Sequence, residues 1–240
     1  LSYTTLAGGD ASSKNAKQNA LCQMLSLGLE TEGFGDPAER ALLQAALSHG
    51  IGTSQNGSMG RLFDTVSAIL GICNLNRYEG ECAILLEQAA NRALEKGLQP
   101  VPMAFHLSEQ TEGGEAGLIL WDRKPVLEAC LAEGRTLRGT GSGNEGMGSA
   151  ADPELRDRLA LGFHLALADG ILRTCEMLRD RTGESKVALS GGCFANMLLC
   201  GRTVSALKNA GFEVFTNKKV PGNDSGLALG QVYAETLLRS

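Results

Sequence analysis

The chain has 240 residues, 43% of them hydrophobic, with 22 Lys+Arg against 27 Asp+Glu for a net charge of −5. That length suits one domain or two small lobes with a sizeable core, and an acidic balance with no basic stripe argues against nucleic acid as the main partner. No apolar run approaches the roughly 18 residues of a membrane-spanning helix, and the opening LSYTTLAGGDASSKN has neither the charged nor the apolar region of a signal peptide.

The opening stretch reads as a loop with no strand leading into it. A helix follows at about 12 to 29, with Asp10, Ser12 and Ser13 as N-cap candidates. DPAERALLQAALSHG predicts a second helix: Asp36 caps it, Pro37 takes the first helical position and Gly50 ends it. GSMGRLFDTVSAILGI places Leu62, Val66, Ile69 and Leu70 at helical spacing. EGECAILLEQAANRALEKG is another amphipathic helix. Residues 101–107 and 116–122 read as paired strands joined by an acidic, Gly-rich turn, and a short helix follows near 124–133.

LRGTGSGNEGMGSAADP reads as a loop. It contains a formal G-x-G-x-x-G at Gly141, Gly143 and Gly146, but no predicted strand precedes it, so the dinucleotide-binding context is missing. The longest helix is predicted over about 153–180. The carboxyl end then alternates strand, helix, strand, helix over 186–190, 195–209, 212–216 and 226–239. This is an α/β pattern with an excess of helix. The helix-rich part spans about 11–97 and the α/β part 98–240.

The seven cysteines lie mostly inside apolar helical patterns and form no CxxC pair. They read as reduced thiols of a cytoplasmic protein. His49, His106 and His164 are too far apart for a metal-spacing pair.

Four segments carry polar residues or glycines that packing does not demand. In KVALSGGCFANMLLC a short buried strand runs into Gly191-Gly192 and then a helix with Asn196 one turn in. Glycines and a helix start let a flat or anionic group approach the backbone; a plain strand-to-helix turn is the alternative. In GRLFDTV, Asp64 falls on an otherwise apolar face. In RYEGECA, Glu79, Gly80 and Glu81 open a helix, where carboxylates are also favoured by the dipole alone. In VPGNDSGLALG, Asn223 and Asp224 precede an apolar helix that Asp224 or Ser225 could simply cap.

In order and spacing, YEGECA after SMGRLFDTVSAILGI, then VALSGGCFANMLL, then VPGNDSGLALGQVYAE resemble the carboxyl-terminal part of the HypF family, the carbamoyltransferases of NiFe-hydrogenase maturation. The resemblance covers roughly residues 5 to 238. The tRNA threonylcarbamoyl-transferase family is similar at greater distance. Both families belong to the actin-like ATPase (ASKHA) superfamily, whose two lobes close over a nucleotide. The fold implied is therefore α/β, helix-rich, and mainly the second lobe of an actin-like domain, truncated at the amino end.

The resemblance implies roles for particular residues. Gly191 and Gly192 would lie against nucleotide phosphates or ribose, Asn196 would contact the nucleotide, and Asp64 would accept hydrogen bonds from the ribose diol. Gly80 and Glu81 match the ribose-side turn, and Asp224 matches a metal-ligating carboxylate. No catalytic residue is assigned. Cys193 takes a place that the family usually fills with an apolar residue and so reads as packing, although the helix start beside it is a feature that could lower a thiol pKa. The chemistry implied is acyl transfer: carbamoyl adenylate, made from carbamoyl phosphate and ATP, gives its carbamoyl group to the carboxyl-terminal cysteine of HypE.

The family's His-rich metal motif has no counterpart here, because the sequence has no HxxxH. Asp224 alone cannot hold a Zn, Fe or Mg ion at a site that needs about three protein ligands. The chain is thus expected to be a fragment with half of a nucleotide site and little activity alone. Two other readings stand beside this one. The first is an O-carbamoyltransferase of natural-product or nodulation type, with a small-molecule hydroxyl as acceptor. The second is a non-catalytic nucleotide-binding or docking domain.

Overall fold

Thr4 to Ala7, expected as loop, forms a strand. In the computed structural model, which describes residues 1–9, 12, 14–110, 117–138 and 152–239, β1 (Thr4–Ala7) pairs antiparallel with β2 (Thr53–Asn56). The reading missed both because four residues show too little alternation, and because β2, TSQN, has no apolar residue.

The first helix, α1 (Ala16–Ser26), starts later than expected. Its cap is Asn15, whose Oδ1 accepts the Gln18 N–H at 2.9 Å. Of the expected caps, Asp10 and Ser13 lie outside the described residues, and Ser12 serves otherwise: its carbonyl accepts from Asn15 N and Asn19 Nδ2. α2 (Pro37–His49) follows its sequence signals, with Asp36 Oδ1 2.7 Å from the Ala38 N–H and Gly50 closing it in the left-handed conformation. α3 (Met59–Ile69) and α4 (Glu81–Glu95) stand where the apolar spacing puts them.

Two antiparallel strands follow, β3 (His106–Glu109) and β4 (Ile119–Asp122), with register His106↔Asp122. The pairing is as expected, but residues 101–105 lie outside the strand. α5 (Lys124–Arg138) runs further than its predicted end. The formal glycine motif at 141–146 lies outside the described residues. α6 (Pro153–Thr182) is the longest helix. The chain ends with β5 (Lys186–Leu189), α7 (Met197–Asn209), β6 (Glu213–Thr216) and α8 (Leu227–Leu238).

The chain clusters into two compact units, Leu1–Leu167 and Ala168–Ser240. The boundary falls inside α6, whereas the sequence composition changes near residue 97. In the first unit α3 packs on α1, α4 and α5. Its core includes Leu21 and Met24 from α1, Leu62, Val66 and Ile69 from α3, and Leu86 from α4. Phe63 meets Phe163 of α6 edge to face at 5.1 Å. Arg92 of α4 grips Asp157 of α6 with two bonds, Nε–Oδ2 at 3.0 Å and Nη2–Oδ1 at 2.7 Å.

In the second unit β5 and β6 pair in parallel from Lys186↔Glu213 to Leu189↔Thr216, with α7 as the crossover between them. Leu189, Leu207 and Phe212 form its core, packed by Leu172, Val187, Val204 and Val214. α8 buries none of its residues: Leu227, Leu229, Val232, Tyr233, Leu237 and Leu238 are all exposed. No helix among the described residues is long and apolar enough to cross a membrane.

Candidate functional site

The expected site residues divide between the two units. In the first, α3 carries Asp64 on its buried face between Phe63 and Thr65, at 1% exposure. Asn76, in the loop after α3, donates from Nδ2 to Asp64 Oδ1 at 3.0 Å. Arg61, one turn earlier on α3, brings Nη1 to 2.8 Å from Oδ2, an ion-pair contact off the line of a good hydrogen bond. Burial pushes the Asp64 carboxyl above its ordinary pKa, while the Asn76 bond and the Arg61 charge pull it back.

Gly80 takes the N-cap of α4 with φ 76°, a left-handed backbone that favours glycine. Beside it, Glu81 turns inward to Arg77. Its Oε2 accepts the Arg77 backbone N–H at 2.7 Å and its Oε1 accepts Arg77 Nε at 2.9 Å. These bonds hold the Glu81 carboxyl below its ordinary range. The Glu81 carboxylate therefore closes the Arg77–Gly80 turn from within, and Glu79 is exposed. A polar cavity of about 430 Å³ in the same unit is lined by Ser12, Ser54, Asn56, Ser58 and Arg61 among others. The sequence reading missed it because β2 supplies two of those residues and β2 was not predicted.

In the second unit, the chain leaves β5 through Ser190 and Gly191, makes a 3-10 turn over Gly192–Ala195 and enters α7. Asn196 precedes α7 as its cap, where the sequence reading had it one turn inside. Its Oδ1 accepts the Leu199 N–H at 2.8 Å. Gly191 adopts φ 106°, and a side chain there would meet nothing within 4 Å, so backbone conformation and not space selects glycine. Its N–H donates to Gly222 O at 2.8 Å, tying the end of β5 to the loop that leads to α8. At Gly222 a Cβ would stand 2.9 Å from Asn217 Oδ1, so a side chain there would displace the Asn217 amide.

A cavity of about 220 Å³ opens between these two loops, lined by Ser190, Gly191, Phe194, Asn217, Gly222 and Asn223 among others. Ligand pockets usually measure about 300–1,000 Å³, so this one has room for part of a nucleotide. Asp224 is exposed at the start of a second 3-10 turn, Asp224–Gly226. The cap there is neither Asp224 nor Ser225. It is Asn223, whose Oδ1 accepts the Ser225 N–H at 3.2 Å. Among the described residues no group of three or more His, Cys, Asp or Glu could hold a metal ion. Asp224 thus offers one oxygen ligand without companions, and these residues by themselves do not fit a metal site. Burial pushes the Cys193 thiol up, which disarms it as a nucleophile.

The strand β5, the Gly191-Gly192 turn and the capped helix α7 thus lie beside a small cavity. Residues 1–231 match the family model described as carbamoyltransferase, Kae1-like domain, second subdomain. The chain belongs to this family. Carbamoyltransferase HypF of Rhodobacter capsulatus is 32% identical over 229 residues, covering 94% of the chain and 26% of that relative. Carbamoyltransferase HypF of Synechocystis sp. is 29% identical over 182 residues, covering 76% of the chain and 20% of the relative. A full-length HypF crystallised in the phosphate- and nucleotide-bound form is similar over 100% of the chain and 29% of its own length, with a TM-score of 0.79 and 26% identity. The Kae1-like subdomain described here thus spans about a quarter of the length of the curated relatives it matches. Its fold is the α/β, actin-like one expected from the motifs.

Proposed function

We propose that this chain is the nucleotide-holding second subdomain of a cytoplasmic carbamoyltransferase. The enzyme would move a carbamoyl group from carbamoyl adenylate, made from carbamoyl phosphate and ATP, to the carboxyl-terminal cysteine of HypE. The family match over residues 1–231 carries this reading. The Gly191-Gly192 turn and its adjoining cavity support it.

In the transfer, the HypE thiolate attacks the carbamoyl carbon. The carbon–oxygen bond to the phosphoryl group breaks, and AMP leaves with the electron pair. This chain's part is to hold the AMP portion still while that happens. Gly191 and Gly192 let phosphate or ribose oxygens approach the backbone without meeting a Cβ. The amide NH₂ of Asn196 is the donor that side chain would offer, since its oxygen caps α7. Asp64 accepts from the ribose diol. Asp64 is 1% exposed, so the diol reaches it when Arg61, its more accessible partner, swings aside. Gly80 holds the turn beside it. No step here runs through a divalent ion, because Asp224, without companion ligands among the described residues, does not fit one.

The test is carbamoyl transfer by the full-length protein, wild type against Asp64→Asn, with calorimetric titration of AMP alongside. Loss of a charge-assisted hydrogen bond of about 1.5–3 kcal/mol predicts a fall of roughly 10- to 100-fold in AMP affinity and in transfer. Formation of carbamoyl adenylate should continue. Unchanged transfer and unchanged AMP binding in the variant would sink the reading in favour of a docking domain.

A further inference from the structure

Asn76 hydrogen-bonds to both the Asp64 helix and the Gly80 helix. Its backbone N–H donates to Lys14 O at 2.8 Å, which fixes the loop against the start of α1. Its side chain is 8% exposed and reaches two ways. Oδ1 accepts the backbone N–H of Cys82, in the first turn of α4, at 2.9 Å. Nδ2 donates to Asp64 Oδ1 on α3 at 3.0 Å. The orientation of the amide is settled by these partners. A backbone N–H can only donate, so the oxygen must face Cys82 and the NH₂ must face the carboxylate.

We propose that Asn76 is a positioning residue for the ribose-binding carboxylate: it fixes the Asp64 rotamer and locks that carboxylate to the first turn of α4, so that Asp64 and Gly80 meet the nucleotide as one unit. The inference rests on the reading of Asp64 as the ribose acceptor. An ionised carboxylate has about four lone-pair directions. Asn76 takes one and Arg61 lies against another, so two lone-pair directions remain for the hydroxyls of a diol once Arg61 gives way. When Arg61 moves aside to admit the ribose, the Asn76 bond keeps Oδ1 in place. The groups of charge or titration that face Asp64 are Arg61 on its own helix and the Cys82 thiol on α4. Neither can replace a neutral donor. Arg61 is the group that leaves, and the Cys82 thiol, whose pKa burial pushes well up, carries no positive charge.

The experiment compares AMP with 2′,3′-dideoxy-AMP in calorimetric titrations of the full-length protein. The readout is the ratio of the two affinities, which a merely structural role would not move. Wild type should prefer AMP. Asn76→Ala should lower that preference about tenfold with dideoxy-AMP binding unchanged. Asp64→Asn should abolish the preference, and the double variant should be no worse than Asp64→Asn alone.

Asn76→Asp separates the side chain's two bonds and guards against a variant that fails to fold. It keeps an acceptor for the Cys82 N–H but sets a second carboxyl beside Asp64. At high pH both ionise and repel, and the preference for AMP is lost. As pH falls the pair shares a proton, the introduced carboxyl donates to Asp64, and the preference returns. An unchanged ratio in Asn76→Ala, an equal loss of both ligands, or additive effects in the double variant would each overturn the role of Asn76 while Asp64→Asn still reports the ribose contact. A wild-type-like ratio in Asp64→Asn would instead remove the ribose reading, and the role of Asn76 with it.

Discussion

His164 lies fully buried on α6, edge-on to the rings of Phe63 and Phe163 at 5.6 and 5.8 Å. Its Nδ1 donates to Ala160 O at 2.8 Å, which the neutral ring satisfies. Burial lowers its pKa to about 4. An unfolded histidine titrates near 6.5. Between those values the unfolded chain binds a proton that the folded chain refuses, so stability is intact above about pH 6.5 and is lost as pH falls toward 4. The full loss from this one group is about 3 kcal/mol. Asp64 has the opposite sign. Its carboxyl is raised by burial, so protonation at low pH favours the folded state there and offsets part of the histidine's effect. His164→Leu should therefore flatten the acid limb of stability. Urea midpoints at pH 7 and pH 4.5 would show a smaller drop in the variant than in wild type; equal drops would mean that His164 is not the acid-sensitive group. Asp64 was legible because a carboxylate on an apolar helical face is out of place. Asn76 was not, because an asparagine in a loop is ordinary, and its role appears only when α3 and α4 are brought to it.

At the scale of elements, the segment before β3 and the long α6 approach each other more closely than side chains allow. Val101 N donates to Arg158 O at 3.2 Å, and Arg158 Nε donates to Gln99 O at 2.7 Å. A Cβ on Gly162 would stand 2.1 Å from Val101 O. Two effects of Gly162→Ala then compete. Helix propensity favours alanine by roughly 1 kcal/mol. The clash with a backbone carbonyl costs more, because neither a helix nor a hydrogen-bonded segment yields easily, and overpacking costs typically 1–3 kcal/mol or above. A net destabilisation of about 2 kcal/mol is expected in chemical denaturation. A gain in stability would show that α6 and residues 99–101 can separate at little cost. Legibility at this scale followed signal strength. α2 carried cap, proline and glycine in their places and was read to the residue. The start of α7 was misplaced because Cys193 to Ala195 continue its apolar pattern, while the chain there makes a 3-10 turn that Asn196 ends.

Across the whole molecule, the family and the fold were readable from motif order, because glycines and carboxylates at turns survive as letters even where the packing around them does not. The pairing of β1 with β2 was unreadable for the complementary reason. Its register, Thr4↔Asn56, joins four-residue strands far apart in the chain, of which β2 has no apolar residue, and the buried guanidinium of Arg123 bonds Ser2 O and Asn56 O beside the join. One feature of the second unit bears on how the chain behaves in a tube. A helix apolar on every side normally sits inside a protein, and α8 holds its leucines, valine and tyrosine in water. The consequence is colloidal. Concentrated solutions should scatter light and bind hydrophobic dyes in proportion to this helix, with chemistry and melting temperature uninvolved. Leu229→Lys with Val232→Glu should keep such solutions clear at concentrations where wild type turns cloudy, at an unchanged melting temperature. Equal turbidity in both would place the adhesive surface somewhere other than α8.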